Sequence, residues 1–447
     1  MKRNSSVFRF RLFTSCIPAF LLLNLAAFAQ SDSTHAKSDS THLPFAIAKE
    51  KRLSEDDLKD KKEGVYVTGI PNLSSDPVNG IGIGAQGQIF FNGKKSDPFF
   101  EYTPYRAQLN VNAFYTTRDE RELALEFEIP YIFNTKWRLH GEMGYEIAPN
   151  QLYFGVTEQS LKSFANNESY SAYQNSLTGI RSDYNTYQKE EAILNFIFER
   201  SFWESRMRVF LGYEMAKATY TTPLNDSSLV HKDFLSGKIT GYGDVLVPVY
   251  QVGLIYDTRD LEDDPTKGSL FEIMEEASPN ILGAQYNFNK LFIQYKYFNI
   301  LYPEKFKKVV FAGFAGLNNI DGDAPFFEYQ DAESSEYTIL TLGGPQTLRG
   351  YVQGRFAARV MAFANVELRC RFAHLDIFRQ HLTFSGVPFF DSGGAWDSFS
   401  RMSHLENLRC SEGLGLRIGW NENTVLRFDY AISNEDRQFF FGLQQPF

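Results

Sequence analysis

Beyond residue 29 the chain has no apolar run approaching the roughly 20 residues that a helix needs to cross a bilayer. Cysteine is scarce: Cys16 lies in the amino-terminal apolar run, and only Cys370 and Cys410 remain, too few for a disulfide framework. The seven histidines include none at metal-ligand spacing. No glycine loop opens a helix to cradle phosphate, and Ser385-Gly386 and Ser392-Gly393 lack the Gly-x-Ser-x-Gly setting of a nucleophile elbow. These absences argue against an enzyme, a metal centre or a cofactor. Basic charge is short as well, 45 Lys and Arg against 54 Asp and Glu for a net charge of -9, which argues against nucleic acid as a partner.

What the chain has in excess is aromatic. Its 42 Phe and 24 Tyr lift aromatics to 16%, the surplus that supplies the lipid-facing surface and interfacial girdles of a transmembrane barrel. A mean hydropathy of -0.31 reads as soluble, but a barrel hides its apolar residues at every second position, where window averages miss them.

The amino end reads as a secretory signal peptide over residues 1–29. Lys2, Arg3, Arg9 and Arg11 precede the apolar run 17–29, which closes on Ala27-Phe28-Ala29, a small-x-small cleavage form. Residues 30–63 form a polar leader containing a duplication, Ser31-Asp32-Ser33-Thr34-His35 and Ser38-Asp39-Ser40-Thr41-His42. Such low complexity predicts a solvated periplasmic linker, with at most one short charged helix over 53–62.

From Gly64 to Phe447 the pattern alternates. In Glu122-Leu123-Ala124-Leu125-Glu126-Phe127-Glu128-Ile129 the glutamates point one way, while Leu123, Leu125, Phe127 and Ile129 point the other. Alternation interrupted by Gly, Pro, Asn and Asp clusters predicts strands near 64–71, 80–92, 105–118, 121–133, 136–149, 190–203, 205–220, 248–260, 268–279, 286–301, 307–320, 358–372, 382–391, 410–420, 423–433 and 437–447. The expected fold is all-β, a transmembrane antiparallel β-barrel of about 16 strands, an even number as single-chain barrels have. Long insertions at 150–189, 221–247, 321–357 and 392–409 fall on one side and short turns on the other, the asymmetry of a barrel in an outer membrane. Cys370 and Cys410 fall on strands with a third between them, about 9 Å apart at normal strand spacing and beyond disulfide reach. The acids Glu262, Asp263 and Asp264 sit on an inner turn, where they could bind a cation or simply be solvated.

One segment carries a family resemblance. Leu342-Gly343-Gly344-Pro345-Gln346-Thr347-Leu348-Arg349-Gly350-Tyr351 resembles the Arg-Gly-aromatic loop of the bacterial surface antigen family, the superfamily of BamA, TamA and the mitochondrial sorting barrel. Other matches follow in order: Tyr256-Asp257-Thr258-Arg259-Asp260, Asn365-Val366-Glu367-Leu368-Arg369, Phe390-Asp391-Ser392-Gly393-Gly394, Gly413-Leu414-Gly415-Leu416-Arg417 and Leu426-Arg427-Phe428-Asp429-Tyr430. The ordered set covers 248–447. The resemblance implies a loop folded into the barrel, with Gly343, Gly344 and Gly350 permitting its tight course and Tyr351 beside them. It also implies that Arg349 meets Asp391 and Glu367. A planar guanidinium inside a lumen needs such carboxylates.

By the same resemblance, the chain assists insertion, assembly or translocation of proteins or lipids at the outer membrane, with lipid, client proteins and a separate periplasmic subunit as partners and no cofactor. The chain departs from the family's assembly factors in having no room before the barrel for periplasmic domains of the POTRA type. First and last strands would meet at a seam bearing Gly64, Gly69, Gly442 and the terminal Phe447, where Pro446 cannot donate a strand hydrogen bond. The alternative reading is a structural or surface-binding barrel that presents acidic extracellular loops.

Overall fold

The computed structural model describes residues 43–53, 58, 61–76, 79–161, 184–222, 228–262, 264–280, 283–304, 307–336, 338–340, 342–377, 380–420, 424–443 and 445–447. The expected signal peptide, the duplicated His35 and His42 segments and Asp263 lie outside these residues, as does most of the expected helix over 53–62.

Sixteen strands form one antiparallel sheet. They are β1 (Gly64–Asp76), β2 (Gly80–Gly93), β3 (Ala107–Thr116), β4 (Arg121–Ile129), β5 (Trp137–Leu152) and β6 (Thr186–Phe202). Next come β7 (Met207–Thr221), β8 (Gly243–Asp257), β9 (Gly268–Ser278), β10 (Phe288–Glu304) and β11 (Lys307–Gly322). A two-stranded hairpin, β12 (Asp331–Glu333) with β13 (Thr338–Leu340), interrupts the order inside the longest connection. The sheet resumes with β14 (Val360–Ile377), β15 (Gln380–Trp396), β16 (Leu408–Trp420), β17 (Thr424–Ile432) and β18 (Arg437–Leu443). Every sheet strand pairs with its sequence neighbour in the sheet, as repeated hairpins dictate. All sixteen expected strands are present, several running further into the long-loop end than alternation alone suggested.

The sheet curls until β1 and β18 come within 8 Å at Cα. Among the described residues no backbone ladder joins them. The inversion expected of a membrane barrel is plain on β14, where Val366, Leu368 and Phe372 are exposed while Asn365, Glu367 and Arg369 are buried. Val67, Ile83, Leu211 and Leu414 likewise face outward, each more than half exposed. Charged side chains therefore fill the inside and apolar ones coat the outside, the arrangement lipid demands. Cys370 and Cys410 are both free thiols, on β14 and β16 with β15 between them.

Two expectations need correction. The last strand does not run to Phe447: β18 stops at Leu443, and Phe447 is buried against Phe314 at 5.2 Å between ring centroids. Polar groups inside the sheet capture this tail. Arg369 Nη2 donates to the Phe447 carbonyl oxygen (3.0 Å), Arg417 Nε to Gln445 Oε1 (3.1 Å), and Gln445 Nε2 to Asp264 Oδ1 (2.9 Å). Pro446 has no N–H to offer a ladder, so little holds the tail in the sheet. Phe447 is thus a lumenal residue, whereas Gly442 remains on the edge strand. Second, the leader is not a bare linker, because Ile47, Ala48 and Leu53 are buried against the barrel's short-turn end.

The turn asymmetry sets an expected topology. An epitope inserted between Gly237 and Lys238, in the long β7–β8 connection, should be reached by antibody on intact cells. One between Lys94 and Lys95 should be reached only after the outer membrane is opened. The reverse staining pattern would invert the orientation.

Candidate functional site

The connection from β11 to β14 folds back into the barrel, and its sequence explains how. Gly343 has φ +111°, and a Cβ there would lie 2.2 Å from the Val352 carbonyl oxygen. Gly350 has no room either, since its Cβ would sit 2.7 Å from Ser411 Cβ and 2.8 Å from the Ile432 carbonyl carbon. Only glycine lets the backbone press so closely on β16 and β17. Gly344 also takes positive φ, and its N–H donates to the Tyr351 carbonyl (3.1 Å).

This course delivers Arg349, fully buried, to three carboxylates. Its Nη2 and Nε meet Asp391 Oδ1 and Oδ2 at 2.7 and 3.0 Å, a bidentate fork, and its backbone N–H also donates to Oδ2 (3.1 Å). Nη1 reaches Glu367 Oε1 at 2.6 Å and Asp429 Oδ2 at 3.5 Å. The guanidinium lies 3.5 Å from the centroid of the Phe389 ring, an added cation–π contact. Asp391 is itself held by Asn365 Nδ2 (2.8 Å) and Ser411 Oγ (3.2 Å).

The cluster extends beyond the expected residues. Arg417 donates to Asp429 Oδ1 (2.6 Å) and Glu367 Oε1 (3.3 Å), Arg369 to Glu367 Oε2 (3.0 Å), and Arg427 approaches Asp429 (3.8 Å). Four guanidiniums thus share three carboxylates, which is how charge survives burial. The partners pull the Arg349 pKa upward against the opposing effect of burial. Arg369, Arg417, Arg427 and Asp429 lie in the motifs already noted, and the signal that could have found them is their in-facing phase on each strand. Tyr351 seals the top of the loop: its hydroxyl donates to Asn434 Oδ1 (2.6 Å) and its ring packs on Phe356. Nearby, Arg355 forks onto Glu435 (2.7 and 3.1 Å).

The hairpin half of the same connection is anchored separately. Lys290 on β10 pairs with Asp331, with Glu328 (3.1 Å) and with Glu276 (3.8 Å), and Lys296 with Glu336 (2.6 Å). Arg259, just beyond β8, also pairs with Glu336. Burial alone would raise Glu336, yet Arg259 and Lys296 hold it down to about 2. Burial pushes Glu328 up to about 8, with Lys290 pulling the other way. A carboxyl raised from its ordinary 4.5 favours the folded state when protonated, so this contribution is present below pH 4.5 and lost as pH rises through 8. Glu328→Gln should therefore flatten the fall in barrel melting temperature between these values. An unchanged slope would show that Glu328 does not titrate there.

The two described acids of the inner turn, Glu262 and Asp264, are not simply solvated. Glu262 takes Arg138 Nη2 (2.8 Å) and Arg208 Nη1 (3.4 Å), and Asp264 takes Gln445 and approaches Arg369 (3.7 Å). No group of acids, histidines or cysteines suited to a metal occurs among the described residues.

Comparison with known proteins agrees with this geometry. Residues 43–106 match a domain of unknown function, DUF5982, and residues 106–447 match the Omp85 superfamily domain. The outer membrane protein assembly factor BamA of Nitratidesulfovibrio vulgaris is 28% identical over 202 residues, 42% of this chain and 23% of that protein. The chain therefore spans about a quarter of that relative's length. In structure it resembles BamA from Haemophilus ducreyi lacking POTRA domains 1–3, with TM-score 0.51, 15% identity, and coverage of 86% of this chain and 69% of that one. It is similar also to CdiB from Escherichia coli, with TM-score 0.52, 12% identity, and coverage of 85% and 62%. With the family domain matched over most of the chain, and the buried Arg349 cluster at its centre, the protein belongs to the Omp85 superfamily and is an outer-membrane β-barrel protein.

Proposed function

We propose that this barrel assists the insertion, assembly or translocation of proteins or lipids at the outer membrane, and that it works through the seam between β1 and β18. The observation that carries the reading is the unladdered seam. β1 is thirteen residues long and β18 only seven, and no hydrogen-bonded register links them among the described residues. An edge of free N–H and C=O groups is a template for an incoming strand. The tail 445–447, drawn inside, leaves that edge shorter still. The assembly role carried in the name of the N. vulgaris relative supports the same direction. A separate periplasmic subunit would deliver clients to the inner mouth.

Photoreactive residues at Val67 on β1 and Phe439 on β18 test the seam in native membranes. Adducts with envelope proteins or lipid-linked molecules at these sites, and not at Lys238 in the outer connection, are the expected result. Capture at Lys238 alone would favour a barrel that binds partners through its outer loops.

A further inference from the structure

Residues 43–53 form a short segment with contacts on four separate inner connections. Phe45 packs between Phe99 of the β2–β3 connection and Tyr131 of the β4–β5 connection, with ring centroids at 5.5 and 5.3 Å. The Ala48 N–H donates to the Glu204 carbonyl (2.8 Å) in the turn between β6 and β7. Lys51 Nζ meets Asp257 Oδ2 (3.0 Å) at the end of β8. The next residue, Arg52, pairs with Glu101 (2.8 Å) back in the β2–β3 connection, and the Leu53 N–H donates to the Glu101 carbonyl (2.9 Å).

Adjacent residues thus touch elements six strands apart in the sheet. Six strand spacings of about 4.8 Å far exceed one Cα step of about 3.8 Å, and the difference is made up by the long Lys51 and Arg52 side chains reaching in opposite directions and by the inward fold of the β2–β3 connection. The segment and the inward-folded β2–β3 connection, whose Phe99 and Phe100 are buried, together link separated parts of the inner rim.

Lys51 also ends a chain of ion pairs. Asp257 Oδ1 accepts from Arg259 Nε (3.1 Å), Arg259 pairs with Glu336 of the lumenal hairpin, and Glu336 with Lys296. Burial lowers the Lys51 pKa, and Asp257 and then Glu262 oppose it, so the ammonium depends on these carboxylates to stay charged in place. Above the segment, β4 and β5 turn Glu122, Glu126, Glu142 and Glu146 inward, and all four remain partly exposed.

We propose that residues 43–53 are a displaceable strap that closes the inner mouth over the acid-lined side of the lumen, latched by Lys51 on Asp257. Release of the strap opens a cation-preferring path and frees the ion-pair chain that reaches the lumenal loop. This does not depend on the seam or on any client, so it can hold or fail separately from the proposed function.

The test is conductance of the purified full chain in planar bilayers in potassium chloride. Wild type should be quiet. Lys51→Ala, which removes the cation from Asp257 without offering Arg208 or Arg259 a new partner, and deletion of 43–53 should each raise mean conductance several-fold with a reversal potential favouring potassium. Folding of each is checked by heat-modified migration on a gel. Adding the pair Ala48→Cys and Glu204→Cys to Lys51→Ala, with Cys370→Ser and Cys410→Ser, should silence the channel when oxidised and restore it on reduction. Should the deletion misfold, this disulfide variant decides alone. Conductance of folded variants equal to wild type overturns the strap, and an open state without cation preference overturns its placement over the acidic side.

Discussion

Replacing Arg349 by alanine is expected to cost the folded barrel about 3–5 kcal/mol, the scale on which buried ion pairs fail when one partner is removed. The reason lies in what is left behind. Asp391 loses its bidentate fork, Glu367 its 2.6 Å contact, and neither can recruit water from a fully buried position. Asp391→Ala should cost a similar amount, because of its three carboxylates Arg349 then keeps only Glu367 and the longer contact to Asp429. Exchanging the two charges, Arg349→Asp with Asp391→Arg, should recover only part of the loss, since the new carboxylate faces Glu367 and Asp429. Each variant is measured by the temperature at which the folded band is lost on a gel. Singles that melt as wild type would mean that the pair contributes nothing to holding the loop inside.

Locking the seam is expected to abolish function while leaving the fold intact. A disulfide between β1 near Val67 and β18 near Leu443, with Cys370 and Cys410 first replaced, would join two edges that no ladder joins among the described residues. If a client must add to the free edge, the oxidised protein should fail to complement a deletion strain, and reduction should restore it, since the bond is the only change. Heat-modified migration and surface labelling at Lys238 should match wild type in both states. A locked barrel that complements fully would sink the seam mechanism and move attention to the outer connections.

Much of the architecture was legible because its signal is local. A strand with one face toward lipid and the other toward a charged interior must alternate, so residues such as Leu123 and Glu126 declare their sides from spacing alone. Turn chemistry then marks where each strand ends. Arg349, Asp391 and Glu367 could also be named in advance, each sitting in a recognisable short motif. The full cluster could not. Arg349 meets Asp429 across 80 positions and Arg417 meets Glu367 across 50, and such pairings depend on how far the sheet shears and curls before its ends approach.

The two misread ends failed for the same reason. The tail 437–447 alternates well enough to be a strand throughout, but Arg369, Arg417 and Asp264 compete for its last residues from inside the barrel. Residues 43–53 look like linker because the apolar run Leu43 to Ala48 is too short to set a periodic face beside a polar leader, and its partners are backbone and side-chain groups of distant turns. The sequence by itself determined the strand number and the inversion of the surface, both encoded within a few residues of each position, and through its resemblance to family motifs it implied the inward loop. Only the tertiary structure decided which charges pair in the lumen, where the tail goes and where residues 43–53 dock, because those outcomes are set by the geometry of a curled sheet that no short window contains.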